Sequence, residues 1–198
     1  MVRLPIGKKF IVTRVSDEPA FGERLPIVLA HGRAFGSGEH ETTRSCLEAL
    51  EELPLLPSGR VLDLGSGTGV LAVAAARLGA RHVIALDPSP EAIQTTLATV
   101  RLNGMTGIVA PVQGEIAALR GARFDLILAN LYGDVLLLLV HEITSLLASG
   151  GYVVTSGIQY ADAYDLKMRF SRAGCLLLKE HYLEEYSTLV FRLPAKPC

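Results

Sequence analysis

Three glycines at alternate positions are the residues of this chain whose spacing most directly suggests a ligand site. Gly65, Gly67 and Gly69 follow the strand-forming run 61–64 and precede an alanine- and leucine-rich run at 70–78. A strand, a glycine turn and a helix in this order form the first unit of a nucleotide-binding α/β sheet. Side chains in the turn would obstruct a ligand, whereas glycine leaves the backbone accessible. The turn therefore predicts a nucleoside ligand.

Two acidic residues are placed to recognise that ligand. Asp63 stands just before the glycine turn, and Asp87 ends the segment 82–87, one helix and one strand beyond Gly65. A carboxylate at the end of the second strand can accept both hydroxyls of a ribose. The glycines run G-x-G-x-G, with Val70 where the dinucleotide fingerprint has its third glycine. This spacing favours S-adenosylmethionine, which has no pyrophosphate to bind at the helix N-terminus, over NAD.

Asn130 follows the apolar segment 124–129, which we expect to be a fully buried strand. Its side-chain oxygen, at the strand end, can accept hydrogen bonds from an incoming amine and orient the nitrogen towards a methyl group. Tyr132 either forms an aromatic wall for that amine or belongs to the core. A buried amine is deprotonated more easily because desolvation lowers its pKa. A dedicated general base is therefore not required, and His40 and Glu39 are the only loop candidates for one.

The segment 31–43, HGRAFGSGEHETT, contains three glycines and almost no periodicity, which is typical of a functional loop. It continues into a helix predicted at 41–53, so Thr42 and Thr43 lie in the first helical turn. Free backbone N–H groups there can hold a carboxylate of the ligand. Alternatively, Ser37 or Thr42 serves only as the helix N-cap and His40 is a surface residue.

The rest of the chain alternates strands with helices, which predicts a mostly parallel α/β sheet with helices on both faces. Glu115 follows the third strand, where it either binds the adenine amine or is solvated. Two β-rich runs, 8–15 and 25–30, predict a hairpin or edge ribbon before the main sheet. We expect one structural domain, with residues 1–40 forming the ribbon and a loop over the cofactor. Further strands are predicted at 60–64, 82–87, 108–113, 124–129 and 152–156, helices at 70–78, 90–103, 135–147 and up to about 171, and an antiparallel pair at 175–182 and 187–193.

Composition limits the class of protein. The chain has 198 residues, of which 49% are hydrophobic and 20% charged, as expected of a compact globular protein. The longest aliphatic run, 135–140, is far shorter than the about 20 residues that cross a bilayer, and no leader follows Met1. We therefore expect a cytoplasmic protein. The net charge of −1 and scattered basic residues argue against nucleic acid as the main partner, although a local patch can still form in three dimensions. The three cysteines suggest no metal site.

Four stretches together resemble the ribosomal protein methyltransferases of the PrmA type: AFGSGEHETT, VLDLGSGTGVLAVAAARLGA, ALDPSPEAI and LILANL. The first of these is the most specific, and the resemblance covers about residues 5–160 well and the tail more loosely. It implies a class I S-adenosylmethionine-dependent methyltransferase (Rossmann-like) fold with a seven-stranded sheet, in which residues 41–198 form the methyltransferase domain. It also implies methylation of protein amines, both lysine side chains and an N-terminal α-amine. By position, the family's cofactor contacts fall on Thr43, Gly65, Asp87 and Asn130.

Three departures from the family pattern concern the substrate more than the cofactor. Members carry a separate N-terminal domain that captures the ribosomal protein, and this chain begins at the connecting segment. Position 37 is Ser where Thr is usual, and Leu131-Tyr132 replaces the usual Ile-Leu after Asn130. The hypotheses are thus a protein amine methyltransferase, a small-molecule amine methyltransferase or a non-catalytic S-adenosylmethionine-binding module. The predicted catalytic residues are Asn130 and Tyr132, and the predicted cofactor-binding residues are Phe35, Gly36, Thr42, Thr43, Asp63, Gly65, Ser66, Gly67, Asp87, Pro88, Glu115 and Asn130.

Overall fold

The computed structural model of the protein describes residues 3–14, 22–32, 34–54 and 59–195. Within these residues the chain forms a three-stranded sheet, a seven-stranded sheet and five α-helices. The small sheet contains β1 (Arg3–Ile6), β2 (Phe10–Thr13) and β3 (Leu25–Val28). The main sheet contains β4 (Arg60–Leu64), β5 (His82–Asp87), β6 (Val109–Gln113), β7 (Phe124–Asn130), β8 (Leu147–Gln159), β9 (Leu176–Tyr182) and β10 (Tyr186–Arg192). The helices are α1 (Glu41–Glu52), α2 (Val70–Arg77), α3 (Pro90–Leu102), α4 (Gly133–Ser145) and α5 (Tyr160–Arg172).

The main sheet has the strand order β6-β5-β4-β7-β8-β10-β9. The strands β6, β5, β4, β7 and β8 pair in parallel, and β10 pairs antiparallel with both β8 and β9. The prediction of a seven-stranded, mostly parallel sheet with an antiparallel C-terminal pair is confirmed. Parallel strands end on the same side, so the turn after β4, Asp87 on β5 and Asn130 on β7 meet at one edge. We call it the carboxyl edge and the opposite side the amino edge.

Helices cover both faces of this sheet. Successive strand residues point to opposite faces, and on β7 Leu128 packs with α1 and α2 in one core cluster while Ile127 packs with α4 and α5 in the other. Strands buried on both faces explain the continuous apolar runs in the sequence. The largest boundary differences concern α4, which begins at Gly133 rather than 135, and β8, which spans Leu147–Gln159 rather than 152–156.

The N-terminal strands pair differently from the prediction. The hairpin expected between 8–15 and 25–30 is wrong, because β2 and β3 run parallel to each other. The antiparallel hairpin instead joins β1 and β2, and its turn is fixed by Glu51 of α1, which accepts the N–H groups of Lys8 and Lys9 at 2.8 and 2.7 Å. Side chains of the small sheet, including Phe10, belong to the same core cluster as α1 and α2. A division of the chain at residue 40 stays a prediction.

Candidate functional site

The glycine turn is held by hydrogen bonds to the neighbouring strand. The N–H groups of Gly65 and Ser66 both donate to the carbonyl oxygen of Leu86, at 2.8 and 3.1 Å. Gly65, Gly67 and Gly69 have φ values of +74°, +51° and +79°, which L side chains rarely adopt. The turn thus depends on glycine, and it leads directly into the buried helix α2.

The Asp87 carboxylate is fixed from two sides at the end of β5. One oxygen accepts the N–H of Gly67 at 3.0 Å and the other accepts the N–H of Ser89 at 2.9 Å. Each carboxylate oxygen has a further acceptor site, and the side chain is only half-buried, so a ligand's hydroxyl groups can still reach it. Pro88, which lies between Asp87 and Ser89 in the sequence, is exposed. The geometry therefore leaves the carboxylate oriented and available.

Glu115 lies one strand further along the same edge. Its side chain is exposed, just before the 3₁₀ turn Ile116–Leu119. The N–H of Gly114 donates to the Asp87 carbonyl oxygen at 3.0 Å, which holds the ends of β5 and β6 together. The structure therefore brings Gly65, Asp87 and Glu115 into one row across β4, β5 and β6.

Asp63 and the hydroxyl of Ser66 lie behind the turn. Asp63 is 1% exposed, and its carboxylate accepts the N–H of Ala72 in α2 at 2.9 Å. Burial raises the pKa of the Asp63 carboxyl to about 7, the Ala72 N–H opposes this rise, and the nearby Asp87 charge adds to it. The Ser66 hydroxyl is paired with that of Thr96 at 3.1 Å. Both side chains stabilise the turn from below, and neither faces its open side.

The loop before α1 covers the glycine turn. The Thr68 hydroxyl donates to the carbonyl oxygen of Gly36 at 2.6 Å, and the Thr68 N–H donates to that of Phe35 at 2.9 Å. A Cβ atom at Gly67 would overlap the Phe35 carbonyl oxygen. The loop thus contacts the glycine turn directly, its position over a cofactor stays a prediction, and the Phe35 ring is exposed.

His40, rather than Ser37 or Thr42, is the N-cap of α1, so that expectation is corrected. The His40 Nδ1 atom accepts the N–H of Thr42 at 3.4 Å and pairs with the Thr42 hydroxyl at 2.9 Å. The imidazole ring also packs edge-on against Phe35 and Tyr186, with centroid distances of 5.3 and 5.6 Å. Ser37 donates its hydroxyl to Glu39 at 3.1 Å instead. The contacts of His40 and Glu39 give neither residue the geometry of a general base.

Asn130 is anchored by a residue distant in the chain. Its side-chain N–H donates to the hydroxyl oxygen of Thr43 at 3.2 Å, which leaves the amide oxygen as the open acceptor. Thr43 is fully buried and Thr42 nearly so, and the role of both in cofactor binding stays a prediction. Asn130 is half-buried. The amide is thus oriented by tertiary packing.

A pocket of about 210 Å³ opens beside Asn130. Its lining combines the loop before α1, the start of α1, the ends of β7 and β8 and the first residue of β10. Tyr132 is 77% exposed and forms part of the rim, so its alternative assignment to the core is wrong. The lining residues are Phe35, His40, Thr42, Asn130, Leu131, Tyr132, Gly157 and Tyr186.

Two lining residues, Tyr186 and Gly157, were missed by sequence reasoning. Tyr186 reaches the pocket because β10 pairs with β8 with Tyr186 opposite Gln159, at the carboxyl edge. Gly157 has φ +86° inside a strand, and a Cβ there would overlap the Leu131 carbonyl oxygen. A glycine within a strand is a signal of close backbone approach that was available in the sequence. The Leu131 side chain lies against Gly65, between the pocket and the turn.

Comparison with known proteins agrees with this arrangement. The sequence pattern of the family described as Ribosomal protein L11 methyltransferase (PrmA) matches residues 4–193. The chain belongs to this family. A PrmA relative from Geobacter sp. (strain M21) is 38% identical over 196 residues, 96% of this chain and 63% of the relative. Another, from Geobacter sulfurreducens, is 41% identical over 189 residues, 94% of this chain and 61% of the relative. The chain therefore spans somewhat over half the length of these relatives.

Solved structures confirm the predicted class I methyltransferase fold. A crystal structure described as ribosomal protein L11 methylase from Lactobacillus delbrueckii subsp. bulgaricus has a TM-score of 0.88 and 26% identity, covering 97% of this chain and 98% of that one. The [4+2]-cyclase SpnF has a TM-score of 0.66 at 16% identity and shares the fold alone. Since the fold hosts different reactions, the residues of the site must carry the functional argument.

Two further expectations concern metals and membranes. Within the described part of the chain, no group of His, Cys, Asp and Glu side chains could hold a metal ion. Cys46 and Cys175 are buried, and burial raises the pKa of the Cys46 thiol to about 12, so it is not a nucleophile at neutral pH. None of the helices in the described residues is long and apolar enough to span a bilayer.

Proposed function

We propose that this PrmA family member binds S-adenosylmethionine at the carboxyl edge and transfers its methyl group to amines of a protein substrate. The observation that carries this proposal is Asn130, whose amide is anchored by Thr43 at 3.2 Å and whose oxygen borders the pocket next to the glycine turn. An acceptor held at this point can orient an attacking nitrogen. S-adenosylmethionine supplies an activated methyl group on a sulfonium. Correct alignment of the two reactants provides most of the expected rate gain.

The residues at the carboxyl edge fit this cofactor. Gly65 and Gly67 keep the turn free of side chains, and a Cβ atom at either position would overlap a neighbouring residue. The half-buried Asp87 carboxylate, oriented by two backbone N–H groups, suits the ribose hydroxyls. Glu115 and Pro88 flank the adenine end, while the Phe35–Gly36 segment covers the turn. In this proposal Asp63, Ser66, Thr42 and Thr43 position these groups, Asp87 contacts the cofactor, and Asn130 contacts the incoming amine.

The pocket fits an amine-bearing side chain better than a whole small molecule. Its volume of about 210 Å³ is below the roughly 300–1,000 Å³ of typical small-molecule sites. Among the described residues that line it there is no Asp or Glu, so no carboxylate stabilises the charged form of an amine there. Desolvation lowers the pKa of a lysine that enters the pocket. The Tyr132 and Tyr186 rings form an apolar wall along its path.

The charges around the pocket favour a basic protein segment as substrate. Glu39, Asp134, Glu184 and Glu185 are exposed at the carboxyl edge. Glu41 accepts the N–H groups of Glu184 and Glu185 at 2.8 and 3.4 Å, which fixes their loop beside α1. An acidic rim attracts a lysine-bearing chain and speeds its association. The relatives named ribosomal protein L11 methyltransferase make ribosomal protein L11 the first substrate to test. We place the reaction in the cytoplasm.

The test is transfer of a radiolabelled methyl group from S-adenosylmethionine by the purified protein. The acceptors are recombinant ribosomal protein L11, the same protein with all amines acetylated, and extract from a strain that lacks this methyltransferase. We expect label in the intact protein and none in the acetylated protein. Asn130→Ala serves as the inactive control that still binds the cofactor.

The other outcomes identify the competing functions. Label only in the small-molecule fraction of the extract would make the protein a small-molecule methyltransferase. Calorimetric binding of S-adenosylmethionine without label in any acceptor would leave a non-catalytic binding module. Label in acetylated protein would place the methyl group on an atom other than an amine nitrogen. Each of these results contradicts the proposal.

A further inference from the structure

A groove of about 510 Å³ lies at the amino edge of the main sheet, away from the site described above. Four adjacent strands contribute their first or second residues to its lining, including Arg60 on β4, His82 on β5, Val109 on β6 and Phe124 on β7. The volume is within the range of small-molecule sites. None of its lining residues has a role in the proposed methyl transfer, so the groove needs its own explanation.

The groove exists because one crossover lacks a helix. The connections after β4, β5 and β7 carry α-helices of 8, 13 and 13 residues, whereas β6 is followed by a 3₁₀ turn of only 4 residues. Parallel sheets are normally covered on both faces. Here Ile84 is only half-buried, and Ala110, its pairing partner on β6, is exposed. The sheet surface itself therefore forms an accessible apolar floor.

The rim of this floor is cationic. The Arg60 guanidinium lies over the Phe124 ring, 5.5 Å from its centroid, which holds the charge in place. Arg81 and His82 are exposed, and their side chains form no hydrogen bond or ion pair with any other described residue. Asp125, the neighbouring acid, accepts the Arg60 backbone N–H at 2.8 Å, and no carboxylate occurs among the described lining residues. Arg60, Arg81 and His82 thus line one groove, and none of their side chains forms an ion pair with a described residue.

We propose that this amino-edge groove binds the phosphate of a nucleotide. Guanidinium groups pair with phosphate oxygens through fixed parallel N–H donors. Gly107 in the lining has no atom near the position of a Cβ, so its backbone is open to a ligand beside the Thr106 hydroxyl. The apolar floor formed by Ile84 and Ala110 suits the flat face of a base. The nucleotide comes either free or as part of a single-stranded RNA, and both carry the same chemistry.

The test is calorimetric titration of the full chain with three probes: AMP, a single-stranded oligouridylate and an oligoglutamate of matched charge. Arg60→Gln and Arg81→Gln remove one cation each from the rim. Arg192→Gln is the matched control, because Arg192 also lies at the amino edge over an aromatic ring, 5.4 Å from the Tyr152 centroid, but not in the groove lining. The exposed Arg81 side chain forms no hydrogen bond, ion pair or ring contact with another described residue, so we expect its variant to test binding with the fold unchanged.

We expect AMP or the oligouridylate to bind, with at least about a tenfold loss in Arg81→Gln and Arg60→Gln. Binding by Arg192→Gln should remain within about twofold. For the oligonucleotide, each lost arginine should lower the slope of log affinity against log salt by about one. AMP binding that Arg60→Gln and Arg81→Gln weaken assigns the free nucleotide as the source. AMP shares its adenosine with S-adenosylmethionine, so AMP binding that neither variant weakens belongs to the carboxyl edge and counts as no binding in the groove. Binding of the oligouridylate alone assigns an RNA strand.

Three results overturn the proposal. The first is no binding of either nucleotide probe, and the second is equal binding of oligoglutamate, which would show an unspecific anion surface. The third is an equal loss in Arg192→Gln, which would place the binding outside the groove. Methyl-transfer activity plays no part in these readouts, so the test stands apart from that of the proposed function.

Discussion

The two edges of the main sheet present opposite charges on one nearly neutral chain. At the carboxyl edge the exposed side chains Glu39, Asp134 and Glu185 are acidic, whereas at the amino edge Arg60 and Arg81 are basic. The formal net charge is only −1, so the charges are separated rather than in excess. Overall charge therefore says little about which partner each surface can bind.

Helix dipoles explain part of this separation. Acidic residues in the first turn of a helix and basic residues in the last turn are favourable, and the helices of this sheet all point their N-termini towards the carboxyl edge. Arg60 and Arg81 belong to no helix, however, so this rule does not account for them. The helical residues that follow the rule are Glu41, Glu91, Asp134 and Asp162 in first turns and Arg77, Arg101, Arg169 and Arg172 in last turns.

The largest expected effect is that of Asn130→Ala at the carboxyl edge. We expect turnover to fall by about a hundredfold or more, the scale of one lost positioning contact, with cofactor affinity within a few fold. Thr43→Val should lower turnover by about tenfold, because Asn130 loses its 3.2 Å anchor, and Thr43→Ser should restore it. Single-turnover rates and calorimetry separate the two quantities. Equal losses of both would make Asn130 a cofactor contact instead.

Asp87→Ala should weaken cofactor binding by roughly 1–3 kcal/mol, because ribose hydroxyls are left without an acceptor. Asp125→Ala is the matched control: Asp125 also accepts a backbone N–H, that of Arg60 at 2.8 Å, but at the amino edge. Calorimetric titration with S-adenosylmethionine compares the two variants. A similar loss in both would mean that general destabilisation, rather than the carboxyl-edge contact, reduces affinity.

The double change Glu184→Gln and Glu185→Gln tests the acidic rim. We expect the KM for a basic protein substrate to rise by about two- to fivefold at low salt, with kcat unchanged. The difference should vanish near about 1 M salt, where the Debye length is only about 3 Å. Arg81→Gln at the amino edge should leave this KM unchanged. If Arg81→Gln shifts the KM as much, the two edges do not act separately.

Asp63→Asn tests the buried acid behind the glycine turn. The pKa of the carboxyl is raised from 3.8 to about 7, mainly by burial. Between about pH 4 and 7 the unfolded chain therefore binds fewer protons than the folded chain, so the stability of the wild type falls as the pH rises. The variant does not titrate. Its melting temperature should thus improve relative to the wild type by a few degrees from pH 5 to pH 8. If the difference in melting temperature between the variant and the wild type stays constant from pH 5 to pH 8, Asp63 is ionised in the folded protein over that whole range.

Local signals in the chain were sufficient for the frame of the site. The glycine turn, the acid ending β5 and the apolar run ending in Asn130 are each encoded within about ten neighbouring residues, and the parallel topology brings them to one edge. The strands β2 and β3 do pair, but they run parallel rather than antiparallel as in the predicted hairpin. Two short β-rich runs carry no signal for strand direction. The burial of the Thr43 side chain likewise depends on contacts with residues distant in the chain.

By itself, the sequence determined the class of fold, the family and the glycine turn after β4, because glycine conformation, strand and helix periodicity and short motifs act over a few residues. Only the tertiary structure decided that His40 caps α1 between two aromatic rings, that Tyr186 and Gly157 complete the pocket and that Thr43 orients Asn130. It also placed Arg60 and Arg81 around one groove. These contacts join residues far apart in the chain, and packing between elements sets their distances.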